Sequence, residues 1–368
     1  MQIQVIFNTV INAWSKSGEK NSATRAHAIL DYMEELSQSN NQKYKNVKPD
    51  IFSYTSVIDS YAKIGTQESA SQAYDLLQKI EDIYNTTHDT STQPNIKTYT
   101  SLINAFSRSK RPYDAEKVIQ QMNDFANAHN IQSLTMDVIT YNALINSWGW
   151  SDEHTIKAKE AYNIYNTMRK SEDITPDLVT INSVLNACAF SKTSDSTIKK
   201  DVLNIAIELY EEATSPSSSL KPNDTTYGTM ILICGNLLND NILLRNDLIQ
   251  SIFWKCCHNG YVSYFVISQL RTILQSKEIQ DNEQSLELYK TLILNHCNTK
   301  NTTQHNEMAH NQSNSSSSKD VIFGFVDIMN LPTDWTSNVH NTIRKQKYNN
   351  NYKKEKNKEG NNKSNGTD

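Results

Sequence analysis

The chain is 368 residues long, 37% hydrophobic and 21% charged, with a formal net charge of −4 at pH 7. That length suits one or two globular domains. The mild acidity argues against a simple electrostatic binder of nucleic acid, and no apolar run approaches the ~20 residues that cross a membrane.

One short frame recurs from the start of the chain. It reads FNTVINAW at Phe7, YTSVIDSY at Tyr54, YTSLINAF at Tyr99, YNALINSW at Tyr141, INSVLNAC at Ile181 and, more weakly, YGTMILIC at Tyr227. Such self-similarity marks a repeat array. Tyr141, Leu144, Ile145 and Trp148 fall at i, i+3, i+4 and i+7, which is one face of an α-helix. Phe7, Tyr54, Tyr99 and Ile181 open the same spacing in the other units.

A second amphipathic helix follows in each unit. Its faces are Ala26-Ile29-Leu30-Met33, Ala73-Leu76-Leu77-Ile80, Ala115-Val118-Ile119-Met122, Ala161-Ile164-Tyr165-Met168 and Ala206-Leu209-Tyr210-Ala213. The small alanine lets the two helices approach closely. A lone hairpin cannot bury both stripes, so neighbours must stack. The units end at Pro49-Asp50, Pro94-Asn95, Met136-Asp137, Pro176-Asp177 and Pro222-Asn223. Proline is expected to stop the second helix, and Asp or Asn to serve a turn or cap before the next first helix.

From Asn239 the frame lapses. Leu243–Trp254, Val262–Leu274 and Ser285–Leu294 read as amphipathic helices of a terminal cap. Residues 298–319 are rich in Asn, Ser, Thr and His and read as a disordered linker. Residues 320–340 hold a short apolar segment expected to dock onto the cap, and 341–368 form a disordered tail. That tail carries eight Lys/Arg and three Asp/Glu, so the other 340 residues carry −9. The tail reads as a solvated segment, with weak RNA attraction as the alternative.

The aromatic-Asn/Thr start, the Ala and Met of the second helix and the closing Pro-Asp together resemble the pentatricopeptide repeat family, over roughly residues 4–240. The units run 4–50, 51–95, 96–137, 138–177, 178–223 and, degenerate, 224–260, with the array at 4–238 and the cap at 239–297. At 47, 45, 42 and 40 residues the first four are longer than the family's norm. The excess falls in runs such as Asn40–Lys43 and His88–Ser91, read as looped-out surface inserts. The implied fold is all-α: a right-handed α-solenoid of stacked helical hairpins, its concave face lined by first helices, with a helical C-terminal cap and disordered tail.

The resemblance implies binding of single-stranded RNA at one base per unit. Carried over residue by residue, the base readers are Asn8 with Asp50, Thr55 with Asn95, Thr100 with Asp137, Asn142 with Asp177, and Asn182 with Asn223. Val5, Phe52, Ile139 and Val179 would pack against base faces, while Lys97 and Thr225 depart from that pattern. Gly228 stands in the sixth reader slot and should close the array. The implied preference along the RNA, from its 5′ end, is U-A-G-U-pyrimidine. Lys16, Lys63 and Arg108 occupy matching slots, either as phosphate contacts or as cations answering the helix macrodipole.

No catalytic residues, metal or cofactor are expected. Residues 240–368 show scattered acids without the strand–helix alternation of a metal nuclease, and no His-x-Glu with Cys-x-x-Cys of a zinc deaminase. Cys256-Cys257-His258 reads as core or half-buried thiols rather than a metal cluster, and with Cys188, Cys234 and Cys297 fits a reducing compartment. Met1–Val5 runs straight into a repeat without a targeting segment. The resemblance implies a mitochondrial or plastid setting, so either this chain departs from that setting or its N-terminus is truncated, and truncation is the preferred expectation. The expected partner is single-stranded RNA, bound by a monomer away from membranes. A protein-binding helical scaffold is the competing class, and a decayed copy that binds nothing tightly is the third.

Overall fold

In the computed structural model the described residues are 2–39, 44, 46–274, 288, 291–293, 334 and 336–338. Among them the regular structure is helical. The linker, the basic tail and most of the segments expected at 285–294 and 320–340 lie outside the described residues. The chain divides into two compact bodies, Met1–Ile205 and Ala206–Asp368.

The first body is a stack of hairpins. Its helices are α1 (Gln2–Ser17), α2 (Ser22–Gln38), α3 (Ile51–Ile64), α4 (Gln67–Thr87), α5 (Ile96–Arg108), α6 (Pro112–His129), α7 (Val138–Trp150), α8 (Lys157–Arg169) and α9 (Leu178–Ala189). The odd-numbered helices lie side by side, α1 on α3, α3 on α5, α5 on α7 and α7 on α9. Each even-numbered helix packs on its own first helix and on the next one. The periodic faces explain this order. Val57, Ile58, Leu102, Ile103, Leu77, Ile80 and Met122 are fully buried, and truncating any one to alanine would cost about 2–5 kcal/mol. Ala26, Ala73, Ala115 and Ala161 are also fully buried, as close helix approach requires.

The helix ends differ from the expectation that proline stops them. α4 ends at Thr87, with His88 in the left-handed region, well before Pro94. α8 ends at Arg169, before Pro176. The prolines instead sit one residue ahead of the N-caps Asp50, Asn95, Asp177 and Asn223. The insert after α4 is ordered. Asp89 caps a short 3-10 turn at Thr90–Thr92, and Lys48 Nζ binds its carboxylate at 2.7 Å.

Polar rungs tie successive hairpins. Tyr54 Oη donates to Glu34 Oε1 at 2.8 Å, and Lys79 Nζ reaches Glu34 Oε2 at 2.6 Å. One unit on, Tyr99 Oη donates to Glu81 Oε1 at 2.7 Å and Gln121 Nε2 to Glu81 Oε2 at 2.6 Å. Each glutamate of a second helix thus joins the next first helix to the next second helix. Burial pushes the Glu81 carboxyl above the usual range, against the hydrogen bonds from Tyr99 and Gln121.

The second body begins within α10 (Ser196–Thr214) and contains α11 (Asp224–Leu237), α12 (Ile242–His258) and α13 (Tyr264–Leu274). α11 packs on both α12 and α13. The α12–α13 turn needs Gly260. Its φ is +71°, and an added Cβ would lie 2.2 Å from Ser337 Oγ. Asn338 closes on the same turn, with its N–H on Gly260 O at 2.9 Å and its Nδ2 on Asn259 O at 2.7 Å.

The rungs predict measurable stability. Glu81→Ala should lower unfolding stability by about 1–3 kcal/mol, because it strands the Tyr99 hydroxyl, and Tyr99→Phe by about 1 kcal/mol. Urea midpoints at constant m test this. Costs inside the ~0.5 kcal/mol of ordinary surface changes would show that the rungs hold nothing together. Because the folded Glu81 pKa is raised, its contribution should be fullest below the ordinary glutamate value and fall as pH rises through the raised one.

Candidate nucleic-acid interface

The outward face of each first helix is the side turned away from its hairpin partner. Phe52 opens this face on α3, and Lys63 lies eleven residues on, about three turns further along the same side. Large apolar side chains recur at the second position of these helices. Phe52 is 44% exposed, Ile139 67% and Val179 57%, and Val5 at the matching place on α1 is 56% exposed. Lys97 and Thr225 are exposed in the same slot of α5 and α11.

The closing residues of the units are helix N-caps. Asp50, Asn95, Asp137, Asp177 and Asn223 each accept the backbone N–H of the third helical residue: Ser53, Thr98, Thr140, Thr180 and Thr226. These third residues all carry hydroxyls, and all are fully buried. Ser53, Thr98 and Thr140 extend the cap back to the preceding hairpin. Thr98 Oγ1 lies 2.8 Å from Thr55 Oγ1, and Thr140 Oγ1 lies 2.7 Å from Thr100 Oγ1. Ser53 Oγ donates to Asn8 Oδ1, while Asn8 Nδ2 donates to the Asp50 carboxylate at 3.2 Å. Asn142 Nδ2 reaches Asp177 Oδ1 directly at 3.4 Å.

Four of the reader pairs are therefore brought together: Asn8–Asp50 and Asn142–Asp177 by direct bonds, Thr55–Asn95 and Thr100–Asp137 through a hydroxyl. Asn182 lies on α9 in the first body, and Asn223 caps α11 in the second. Thr55, Thr100 and Asn142 are buried to nine-tenths or more. Asn142 Oδ1 has no hydrogen-bond partner among the described residues. Its amide cannot simply turn over, because that would set the carbonyl against the Asp177 carboxylate. Burial pushes the Asp177 carboxyl up, but bonds from the Thr180 N–H and hydroxyl and from Asn142 outweigh it and hold the group below its usual range.

Two slots behave differently from the rest. Lys63 Nζ is engaged with Ser15 O at 2.7 Å and Asp59 Oδ2 at 2.8 Å, so it ties α3 to α1. Lys16 and Arg108 are exposed. Gly228 is covered by Phe265 of α13, whose ring would stand 2.4 Å from an added Cβ. No side chain larger than glycine fits there without moving that ring. Sequence reasoning missed the buried hydroxyls, although their signal was present: a Ser or Thr precedes the frame's first residue in units two to six. It also missed the exposed Trp150 (60%) at the end of α7 and Phe190 (46%) at the C-cap of α9, where earlier units have cations.

The Asp177 cap yields a pH test. A depressed carboxylate pKa contributes stability that is fully present above the ordinary value of 3.8 and lost as pH falls through the lowered one. The thermal midpoint of Asp177→Ala should lie below that of the unsubstituted protein by the equivalent of about 1 kcal/mol at neutral pH. The gap should close on acidification below the ordinary value. A gap independent of pH would mean that the carboxylate charge is not what caps α9.

The profile described as PPR repeat matches residues 97–125, which cover α5 and most of α6. The profile described as Pentatricopeptide repeat domain matches residues 126–190, through α9. A mitochondrial pentatricopeptide repeat-containing protein of Arabidopsis thaliana is 28% identical over 127 residues, 34% of this chain and 17% of that protein. The crystal structure of the maize pentatricopeptide repeat protein PPR10 aligns with TM-score 0.38 and 17% identity, over 78% of this chain and 38% of that one. Its complex with an 18-nucleotide psaJ RNA element aligns with TM-score 0.39 and 18% identity, over 87% and 45%. This chain thus spans less than half the length of each of these relatives. The matched profiles lie on the stacked hairpins of α5 to α9, so residues 97–190 are the part of this chain that matches the pentatricopeptide repeat.

Proposed function

We propose that this protein binds single-stranded RNA along the outward face of its first helices, one base to a hairpin, with a preference set by the reader pairs. The carrying observation is the recurrence of Val5, Phe52, Ile139 and Val179 as exposed apolar side chains at one register position. A polar residue lies three positions after each, buried at Thr55 and Asn142 and half-buried at Asn8 and Asn182. An exposed apolar row is costly unless a partner covers it, and the flat faces of bases suit such a row. The reader amides and hydroxyls then meet base edges. Lys16 and Arg108, both exposed, would meet phosphates on this reading.

The mechanism on this reading is occupancy rather than catalysis. Bound bases are held apart, which denies the segment to nucleases and to competing RNA structure. The setting we infer is the RNA metabolism of a mitochondrion or plastid, with the protein acting as a monomer. One observation favours the alternative of a protein-binding scaffold: Trp150 and Phe190 replace cations on the same face.

Equilibrium binding to a randomised single-stranded RNA pool at near-physiological salt, with sequencing of the bound fraction, tests the reading. Enrichment of one short motif that disappears with Asn8→Ala plus Asn142→Ala supports base readout. Phe52→Ala should weaken binding to the enriched RNA about tenfold, given ~1–3 kcal/mol for a stacked base. No enrichment, or binding that vanishes with modest salt, would defeat this function and favour the scaffold.

A further inference from the structure

We infer that the buried hydroxyl of the following helix, and Thr140 above all, is a positioning residue that sets which hydrogen-bonding polarity the preceding reader offers to a base. The inference rests on the RNA-binding reading and goes beyond it. It assigns the N-cap residue an action through Thr140 rather than a direct touch on the base.

Proton accounting carries the argument. Thr140 Oγ1 lies 2.7 Å from Asp137 Oδ1 and 2.7 Å from Thr100 Oγ1. Each hydroxyl has one proton, and a carboxylate only accepts. The charge-assisted bond is the stronger, so the Thr140 proton goes to Asp137. The contact between the two hydroxyls must then be made by the proton of Thr100. The other nearby acceptor, Ile96 O at 2.8 Å, would also consume that proton internally. Thr100 therefore shows a ligand lone pairs only. A base with a ring N–H, guanine or uracil, is matched there. Adenine and cytosine present a ring acceptor and are opposed.

The preceding hairpin has the same relay with a different end. Thr98 Oγ1 lies 2.8 Å from Thr55 Oγ1 but 3.3 Å from Asn95 Oδ1. A neutral amide at that distance holds the Thr98 proton weakly. Thr98 can donate to Thr55, which frees the Thr55 proton for a ring acceptor. Asp in one unit and Asn in the other thus turn two identical threonines toward opposite base edges.

The test uses the full chain and four RNAs that read UANUC, with G, U, A or C in the third place. The unsubstituted protein should bind the G and U forms about tenfold more tightly than the A and C forms, a difference of about 1.4 kcal/mol. Asp137→Asn should shrink that ratio several-fold. In a Thr140→Val background, Asp137→Asn should change the ratio no further, because the relay is already cut. Thr140→Ser should keep the original ratio, which separates the hydroxyl from packing. An equal effect of Asp137→Asn with and without the Thr140 hydroxyl would overturn the inference and leave base reading intact. The absence of any preference in the unsubstituted protein would overturn the base-reading proposal, and the inference with it.

Discussion

A hairpin of two amphipathic helices leaves part of its first helix uncovered until a neighbour closes it. The cost is visible at α1, which has no hairpin before it among the described residues. Val10 of α1 is 39% exposed and Ile6 61%, whereas Val57 and Leu102 in the slot of Val10 are fully buried. Stacking removes that exposure and, in the same step, sets the odd-numbered helices side by side. The face that remains outward on each helix is the one that neither its partner nor its neighbours need. The candidate interface is what stacking leaves over, which is why it repeats at the same register.

The same constraint gives the unit-closing residues two tasks. A helix start leaves backbone N–H groups unpaired, and Asp or Asn satisfies one of them as an N-cap. Because the first helices stack, that cap also lies beside the reader of the preceding hairpin. Asp50 accepts from Ser53 N–H at 3.0 Å and from Asn8 Nδ2 at 3.2 Å with one carboxylate. On the proposed reading, stability and recognition would share atoms. A change at a cap would then alter both, and only a readout of preference, as opposed to affinity or melting, can tell them apart.

Much of the fold was legible because the i, i+3, i+4, i+7 pattern is a direct consequence of helical geometry. Tyr99, Leu102, Ile103 and Phe106 are all buried, as their spacing demanded. Helix ends were less legible. Pro94 marks the approach to Asn95, while α4 had ended at Thr87 through a left-handed His88 that no pattern announces. In the site, Asn8 and Asp50 could be named together because the family resemblance pairs them, and the stack sets them side by side. The buried hydroxyls could not be weighed in advance. A Ser or Thr near a helix start reads as local capping, and only the neighbouring helix shows that Thr140 also faces Thr100.

The acidic balance of the chain counted against a nucleic-acid partner, and the structure changes its weight. Many of the acids already have partners inside the stack. Glu34 and Glu81 form the rungs, Asp114 binds Arg111 at 2.7 Å, and Asp50, Asp137 and Asp177 cap helices. Lys48 and its hydrogen bonds, together with Ser91, hold the Asp89 carboxyl down to about 2. A partner running along the first helices would meet Lys16, Arg108 and the apolar row, whose character the summed charge does not describe. At short range, the potential that a bound strand experiences depends on the residues of that face. The row that changes from Lys16 and Arg108 to Trp150 and Phe190 would make contacts in the first and third hairpins more sensitive to salt than those in the fourth and fifth.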